Sequence, residues 1–558
     1  MKGLLIDLLG AMLALSGAGS PEELSEYEAE RFSRYAEHPL QLNRASRAKM
    51  FSSGLFSAYQ IAAMEEYRKR SGDILSLTEL ALVDGIGRQT AEALGYFVSF
   101  ESSRAPGVRE RSRANQSLMV RGAYRCRDSD TASAAGIKYH IEIGERAEFF
   151  WSSRTSYSAP EPVLGTFSLA LSSRCGARLI LGDYAARFGQ GLALWSSFSM
   201  SGFGSVAAFR RNASGFAPTG SFSPALRGAA VDLPLGRWNI GAAGALADGA
   251  IWPMAAVSYL GRWGQFGLQA LCKDGHVVSA DGSLGLGHWT LFGETALSSV
   301  LINSGGTVIR RTRAAAVGGA SWAPAYRVRL AALARYYPAG FYSPFAGAVR
   351  SASKVSDEAG VALGAQWRWA ESTFDAARHP EKGTSQYKGI LSLAPEFTIG
   401  GTSLTAALRF TERCRPEDRL PWRHEARLDL KASRGAFSAL CRGDLVRCKD
   451  FGALAYSEFG YQRKAEGRPA ELSAFARATV FRADAWDDRI YCYERDLPGA
   501  FSVPACYGRG WQLSLLARMK LGFGHSRHSL CFKTTYIRQT AGKRPSSAEF
   551  KLQYQLAM

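Results

Sequence analysis

The chain has no long apolar stretch beyond its first 20 residues. A helix that spans a bilayer needs about 18 or more consecutive apolar residues, and no later window of the 558 residues comes near that length. The sequence therefore excludes a helical membrane protein. It also excludes a disordered chain, because 46% of the residues are hydrophobic and only 21% are charged.

Cysteine is scarce and scattered. The nine cysteines include no C-x-x-C pair, which argues against a zinc ribbon and against a dense disulfide framework. A disulfide that closes a short loop stays open as an alternative for two pairs, Cys441 with Cys448 and Cys492 with Cys506.

The motifs of common enzymes are also missing. The sequence holds no nucleophile elbow, no P-loop and no H-E-x-x-H pattern. His525 and His528 lie in a glycine-flanked loop without an evident third ligand, which favours a surface pair over a metal site. We therefore expect a protein that is not an enzyme and that uses neither a cofactor nor a metal.

The chain is rich in glycine, in aromatic side chains and in alternating polarity. It contains 58 glycines, and Phe, Trp and Tyr make up 11% of it. From about residue 116 onward, apolar and polar residues alternate, as in Phe550, Leu552 and Tyr554 against Lys551 and Gln553. A period of two indicates strands with one apolar face and one polar face.

Three features favour a membrane barrel over a soluble sandwich. Residues 1–20 combine Lys2, an apolar run from Leu4 to Leu15 and small residues after it, which predicts a secretory signal peptide; the alternative is a short buried helix. The alternating segments are about ten residues long, as tilted membrane strands are. The chain also finishes on an alternating strand that is rich in aromatic residues. Residues 116–558 are thus predicted to form an antiparallel outer-membrane β-barrel of roughly 20 to 24 strands, an even number.

Residues 21–103 have helical character, and the polar, basic residues 104–115 are predicted to be a linker between them and the strands. Helical periodicity runs from Tyr59 to Arg70, and Thr78 is a candidate N-cap for the helix that follows. The predicted fold class is therefore α+β, with a small all-α domain before a large barrel.

The sharpest motif is the segment LVDGIGRQTAEAL, residues 82–94. It resembles the helix-hairpin-helix family, in which a turn of glycine, apolar residue and glycine joins two short helices. Gly85 and Gly87 permit a tight turn, and Ile86 anchors that turn in the core. The second helix then presents backbone N–H groups that favour a phosphate, beside the positive charge of Arg88.

A degenerate copy of this motif precedes it at Gly54-Leu55-Phe56. The span 39–97 resembles the tandem helix-hairpin-helix domain of secreted competence DNA receptors, through the segments Leu42-Asn43-Arg44-Ala45, Glu66-Tyr67-Arg68 and Leu77-Thr78-Glu79-Leu80. The resemblance implies non-specific contacts with the DNA backbone. The residues expected to make them are Gly85, Ile86, Gly87, Arg88, Gln89, Thr90, Arg44, Arg68, Lys69 and Arg70.

The positive charge lies in the other part of the chain. Residues 21–104 contain 13 acidic and 10 basic residues, and Lys2 cancels Asp7, so the residues that follow carry a charge of +22 within the net charge of +19 of the whole chain. A lipid-facing surface excludes charge, which leaves the lumen, the rims and the loops for these lysines and arginines. A basic lumen favours anions or polyanions. The alternative is that rim cations pair with the headgroups of outer-membrane lipid.

A second resemblance covers nearly the whole chain. The segments Gly182-Asp183-Tyr184, 187–192, Leu194-Trp195, Arg210-Arg211 and 227–230 are similar to a family of Bacteroidetes proteins that join helix-hairpin-helix repeats to an outer-membrane barrel. Gly189 and Gly191 suit a turn, and Asp183 and Arg187 suit a pair inside the lumen. The glycine- and serine-rich connection 186–225 is predicted to fold inside the barrel or over its mouth.

Together these patterns predict an outer-membrane barrel with a periplasmic helical domain that binds or takes up DNA or another polyanion. The alternative is a structural, assembly or plug protein. In that case the helical domain contacts periplasmic protein partners and no nucleic acid.

Overall fold

The structure is a computed structural model that describes residues 8–101, 114–128, 130–144, 146–173, 175–196, 203–220, 226–247, 249–261, 263–273, 275–304, 307–463, 470–541 and 545–558. Within these residues, six α-helices precede 24 strands that close one antiparallel barrel. The predicted linker 104–115 lies almost wholly outside the described residues. The α+β class and the strand number, at the upper end of the predicted range, are confirmed.

The helices are short, and most begin at a serine. They span Leu8–Ser16 (α1), Glu26–Glu37 (α2), Arg47–Ser53 (α3), Ala58–Ser71 (α4), Leu77–Leu82 (α5) and Gly87–Leu94 (α6). Ser25, Ser46, Ser57 and Ser76 each accept an N–H of the first turn, a group that the helix itself leaves unpaired. The predicted cap Thr78 is wrong, because Ser76 caps α5 two residues earlier. No helix of the described residues is long and apolar enough to cross a membrane.

Each barrel strand pairs antiparallel with the next one, and the last pairs with the first. The strands are Ala114–Arg127 (β1), Asp130–Ile143 (β2), Ala147–Ser156 (β3), Ala159–Ser172 (β4), Arg178–Arg187 (β5), Leu226–Leu235 (β6), Trp238–Ala247 (β7), Ala250–Leu260 (β8), Gly264–Cys272 (β9), Gly275–Leu286 (β10), Trp289–Ser304 (β11), Thr307–Ala325 (β12), Val328–Tyr337 (β13), Glu358–Trp367 (β14), Ala370–His379 (β15), Thr384–Leu393 (β16), Thr402–Cys414 (β17), Trp422–Arg434 (β18), Phe437–Arg447 (β19), Phe451–Arg463 (β20), Ala470–Ala483 (β21), Gly508–Phe523 (β22), Ser526–Ala541 (β23) and Ser547–Ala557 (β24). After a short break, Glu396–Ile399 continues β16, and Gly215–Pro218 pairs with β5 from a lumenal connection.

The two ends of the barrel differ in their connections. At the end where β1 begins and β24 finishes, short turns such as Gly287-His288 and Gly435-Ala436 join the strands. The other end carries the long connections 188–225, 338–357 and 484–507. Outer-membrane barrels have their short turns on the periplasmic side. We therefore name the first the periplasmic end and the second the outer end.

The outside of the barrel is apolar and is bounded by aromatic side chains. Leu297 on β11 and Leu363 on β14 point outward and are 55% and 58% exposed. Exposed aromatic residues follow the periplasmic end, namely Trp238, Trp263, Trp289, Trp367, Trp369, Phe437 and Phe523. An apolar band with an aromatic girdle is the surface that a bilayer core and its interface require. The chain is therefore an outer-membrane β-barrel.

The lumen holds the helical domain. We call residues 8–101 the plug, because α3 packs on the inner strand Gly215–Pro218 and α4 packs on β8, β9 and β10 near the periplasmic end. Within the plug, α1 packs on α6 with Ala11 and Met12 buried. Residues 8–16 therefore form the short buried helix that was the alternative to a signal peptide. Removal of residues 1–20 after export stays a prediction.

The glycine turn of the second motif attaches the connection 188–225 to the barrel wall. Gly189 and Gly191 have positive φ angles of 55° and 89°, so the predicted turn is confirmed. The buried carboxylate of Glu294 on β11 accepts three backbone N–H groups of this turn. These belong to Gln190 (2.7 Å), Leu192 (3.0 Å) and Ala193 (3.2 Å). The described residues of this connection, 188–196 and 203–220, fold inside the barrel, which is the first of the two predicted arrangements.

The predicted pair of Asp183 with Arg187 is wrong. Asp183 accepts two hydrogen bonds from Arg227, from Nε at 2.7 Å and from Nη2 at 3.0 Å, and one from the N–H of Phe167 at 2.7 Å. The strand register places Arg227 directly opposite Asp183, whereas Arg187 lies four residues further along β5, about 13 Å away. The Arg187 guanidinium lies 4.0 Å from the centre of the Tyr27 ring instead.

Among the described residues, neither short-loop disulfide is formed. Cys441 and Cys448 are thiols. The N–H of Cys492 donates to the carbonyl of Pro504 at 3.2 Å, so Cys506 lies two residues away along the ladder rather than opposite Cys492.

Candidate anion-binding site in the lumen

Three cations stand side by side on the inner wall near the outer end. Lys388 on β16 lies directly opposite Arg413 on β17, which lies directly opposite Arg423 on β18. We call these three residues the cation row. Cβ atoms of directly opposed residues are about 4.5–5.5 Å apart, and like charges in that position destabilise a sheet. A destabilising arrangement of this kind is expected at functional positions rather than at structural ones.

Carboxylates lie near the cation row, among them Glu23 and Glu425, but few of them contact it. Arg423 donates from Nε to Glu425 Oε1 at 2.5 Å, and its other nitrogens donate to two loop carbonyls. Within the described part of the chain, no carboxylate oxygen lies within 4.0 Å of the side-chain nitrogens of Lys388 or Arg413. Two lumenal cations therefore remain available to an anion.

Three further arginines of the wall bind the plug. They lie on β17, β18 and β19, about four residues closer to the periplasmic end than the cation row. Arg427 Nη1 and Arg442 Nη1 each donate to one oxygen of Glu22 at 2.8 Å. Arg409 Nη2 donates to Glu23 Oε1, also at 2.8 Å. We call Arg409, Arg427 and Arg442 the arginine triad.

The surroundings of Glu22 keep it ionised. Its Oε1 also accepts the N–H of Tyr493 at 3.1 Å. Burial raises the pKa of this carboxyl, but the guanidiniums of Arg427 and Arg442 together with the Tyr493 N–H lower it by more, so the pKa of Glu22 lies far below its usual value. The contact between plug and wall therefore remains charged throughout the physiological pH range.

One cavity of about 760 Å³ joins the two groups of cations. The wall contributes Lys388, Arg409, Arg413 and other residues of β16 to β19, and the plug contributes Glu22 and Glu23. A volume of this size accommodates a small organic solute. The site can thus hold an anion between the plug and the wall.

A second cavity of about 590 Å³ lies nearer the outer end. Phe501, in the long connection 484–507, lines both cavities, and it also packs against the apolar core of the plug.

Ion pairs fasten the plug at other points of the wall as well. Glu30 bonds to Lys138 on β2, and Glu37 Oε1 accepts from Arg518 Nη2 on β22 at 2.6 Å. Burial raises the pKa of Glu37, but the charge and the hydrogen bond of Arg518 lower it by more, so this carboxyl is ionised too. The acidic plug and the basic barrel are therefore electrostatic partners.

A glycine turn joins α5 to α6 at the predicted position, and the tip of this hairpin is exposed. Gly85 and Gly87 have φ angles of 76° and 70°, Ile86 is buried between them, and α6 begins at Gly87. A side chain at Gly85 would collide with Tyr59, whereas the space beside Gly87 is open. Of the other predicted residues in this hairpin, Arg88 is exposed, and Gln89 and Thr90 are half-buried.

The first turn of α6 contacts the barrel. Arg88 Nε donates to Glu92 Oε1 at 2.9 Å, and the guanidinium lies 5.1 Å from the ring centre of Tyr326. Tyr326, in the periplasmic turn between β12 and β13, donates its hydroxyl to Glu92 at 3.0 Å. The hairpin is thereby attached to the periplasmic rim.

The remaining predicted DNA-binding residues lie apart from the hairpin tip. Tyr59, which packs on Gly85, is in the first turn of α4, whereas Arg68, Lys69 and Arg70 are in its last turn, about 16 Å away along the helix. The ten predicted residues therefore form two groups rather than one patch.

The second group comprises Arg44, Arg68, Lys69 and Arg70, and two of these four cations make contacts within the plug. Arg68 donates to the carbonyl of Asn43, and Arg44 lies 3.8 Å from Glu101. Lys69 is exposed, and so is Arg70, which pairs with a glutamate one turn away.

The degenerate first copy faces the interior of the plug. Gly54 has a φ angle of 64°, and a side chain there would collide with the guanidinium of Arg31. Leu55 and Phe56 are buried. This turn therefore has no surface on which DNA could bind while the plug is intact.

Sequence reasoning missed Glu22 and Glu23 as site residues. Their position before α2 suggested acidic groups that favour the start of a helix, yet both carboxylates bind wall arginines. The signal that could have found them is the opposite charge of residues 21–104 and of the barrel.

The comparisons with known proteins show similarity only at the level of the barrel. No family model and no curated protein matches the chain. It is similar to the P pilus usher PapC translocation pore, with 13% identity and a TM-score of 0.42 over 80% of this chain and 99% of that one. It is also similar to an E. coli P pilus tip assembly intermediate, PapC-PapD-PapK-PapG (12%, 0.47, 82% and 63%). A third similar structure is OccK5 (OpdH) of Pseudomonas aeruginosa (9%, 0.34, 80% and 98%). Structural similarity as low as this gives no information on the substrate or ligand of this protein.

Proposed function

We propose that the chain is an outer-membrane channel for anionic solutes and that its own plug restricts the lumen. The observation that supports this most strongly is the cation row, because Lys388 and Arg413 face a cavity of about 760 Å³ and no carboxylate of the described residues contacts them. Charges that line a cleft with low-dielectric walls concentrate counter-ions there.

The ion selectivity of the channel tests this proposal. In planar bilayers with a KCl gradient, we expect currents through the full-length protein to reverse near the chloride equilibrium potential. The double variant Lys388→Glu with Arg413→Glu should shift the reversal potential by roughly 20 mV or more. For comparison, the reversal potential of an ideally selective channel is about 59 mV per tenfold concentration ratio. The reason is that a cationic part of the pathway becomes anionic.

A matched variant carries the same charge change outside the lumen. Lys382 lies in an exposed outer turn, and Arg447 faces outward from the end of β19. Lys382→Glu with Arg447→Glu should leave the reversal potential near that of the original protein. An unchanged reversal potential in the lumenal variant would contradict the proposal.

We propose as a second function that the hairpin tip of the plug binds DNA at the periplasmic rim. The open space beside Gly87 supports this, since a phosphate could approach the N–H groups at the start of α6 there. The resemblance to competence DNA receptors favours the same partner. Exposed Arg88 would add charge, although it is shared with Glu92.

Two substitutions at Gly87 separate charge from shape. Asn and Asp both tolerate positive φ angles, so Gly87→Asp and Gly87→Asn differ essentially in charge. For the full-length protein in detergent, we expect Gly87→Asp to weaken binding of a short fluorescent duplex about tenfold, and Gly87→Asn to change it little. Affinity should also fall steeply with salt. Absence of binding at low salt, or equal affinity of the two variants, would refute a role for the hairpin.

A further inference from the structure

The start of the plug occupies the arginine triad in the way that a ligand would. Three adjacent strands contribute Arg409, Arg427 and Arg442, and two consecutive carboxylates, Glu22 and Glu23, receive their hydrogen bonds. Charge-assisted bonds of this type are among the strongest that proteins use to recognise carboxylates.

The wall holds two of these three arginines, Arg427 and Arg442, in place without the plug. Arg427 donates from Nε to Asp444 at 2.6 Å, and Arg442 donates from Nε and Nη2 to Asp429 at 2.5 and 3.0 Å. Both guanidiniums are thus fixed by strand carboxylates on one side. The nitrogen that each directs toward the lumen is Nη1, and in both cases Nη1 is the atom bonded to Glu22. Two of the three arginines are therefore preorganised by the wall, and only Arg409 depends on the plug for its hydrogen bonds.

The triad also shares a cavity with the cation row. Arg409 and Arg427 line the same space as Lys388 and Arg413. When the plug leaves, Glu22 and Glu23 leave with it, whereas Asp429 and Asp444 stay on the wall, so the three arginines of the triad outnumber the two carboxylates that still pair with them. A solute with several carboxylates could then contact both groups of cations.

We infer that the arginine triad is a binding site for polycarboxylate solutes and that Glu22 and Glu23 mask it as an internal substitute for the ligand. This assignment rests on the proposed channel function. It adds the class of solute, the groups that bind it and the contact that prevents binding while the plug is seated.

Citrate binding to the full-length protein in detergent, measured by calorimetry, tests the inference. The variant Glu22→Gln with Glu23→Gln keeps the shape of both side chains and removes their charge, so citrate should bind at least about tenfold more tightly than to the original protein. The matched variant Glu30→Gln with Glu37→Gln removes two other contacts between plug and wall, at Lys138 and Arg518. It should show a clearly smaller gain, because Glu22 and Glu23 still occupy the triad in every molecule whose plug stays seated.

A third variant tests whether the gained binding uses the triad. Adding Arg409→Gln to Glu22→Gln with Glu23→Gln should abolish the gain in citrate affinity, since Arg409 has no wall carboxylate within 4.0 Å among the described residues and bonds to Gly19 and Glu23 of the plug. Equal gains in both double variants would overturn the inference, because loosening of the plug would then be sufficient. No gain in either would overturn it as well.

Binding and conduction give separate results. Citrate binding without anion-selective currents would refute the channel and leave the site intact. Anion-selective currents without a gain in citrate binding would refute the site and leave the channel intact.

Discussion

Reversing the charge of Glu30 and Glu37 is expected to release the plug and raise the mean conductance of the full-length protein at least about tenfold. Both carboxylates lie between α2 and the wall, where Glu30 binds Lys138 and Glu37 binds Arg518. In Glu30→Lys with Glu37→Lys, each ion pair becomes a contact between like charges in a partly buried place. A tenfold shift in an equilibrium needs only about 1.4 kcal/mol, and breaking buried ion pairs costs more than that.

The measurement is single-channel recording in planar bilayers, beside a control with the same charge change. Glu66 and Asp84 belong to the plug, are exposed, and make no ion pair with the wall within 4.0 Å among the described residues. Glu66→Lys with Asp84→Lys should therefore conduct like the original protein. Equal conductance of the original protein and of the wall-facing variant would show that these ion pairs do not hold the plug.

Replacing Glu294 by alanine is expected to detach the connection 188–225 from the barrel wall. Three N–H groups of the glycine turn lose their acceptor, and an unsatisfied buried donor costs about 1–3 kcal/mol. Part of this cost is offset, because the substitution also removes a carboxylate that is only 2% exposed and whose burial is unfavourable in itself. We expect the free energy of unfolding to fall by about 2 kcal/mol or more, and the connection to be cleaved faster by added protease.

Urea denaturation and limited proteolysis measure these two effects. Glu412→Ala removes the same group at an exposed strand position and should change stability by less than about 0.5 kcal/mol. Gly189→Ala should act in the same direction as Glu294→Ala, because its Cβ would lie 2.6 Å from the Glu294 carboxylate and its φ angle is 55°. Unaltered stability and proteolysis of Glu294→Ala would show that other contacts hold the connection.

Local chemistry was readable from the sequence. The alternation of period two predicts the strands, since it depends only on neighbours along the chain and on which face meets lipid. The hairpin was predictable for the same reason, because Gly85 and Gly87 are needed for backbone angles that other residues rarely adopt. The estimate of 20 to 24 strands followed from chain length and strand length alone.

Contacts across the sheet were not readable in this way. The pair of Asp183 with Arg187 was plausible from spacing, yet the register places Arg227 opposite Asp183. The ten predicted DNA-binding residues were treated as one surface, although the length of α4 separates Arg68, Lys69 and Arg70 from the hairpin tip. Alternation shows which face a residue takes but not which residue of the neighbouring strand lies beside it.

By itself, the sequence determined that this chain has a small helical domain, a large membrane barrel and opposite charges on the two. Only the tertiary structure decided that the domain lies inside the barrel and that Glu22 meets Arg427, 405 residues away along the chain. The physical reason is that closure of the barrel creates the lumen. Charges far apart in sequence become neighbours there only when all 24 strands have paired and the plug is seated between them.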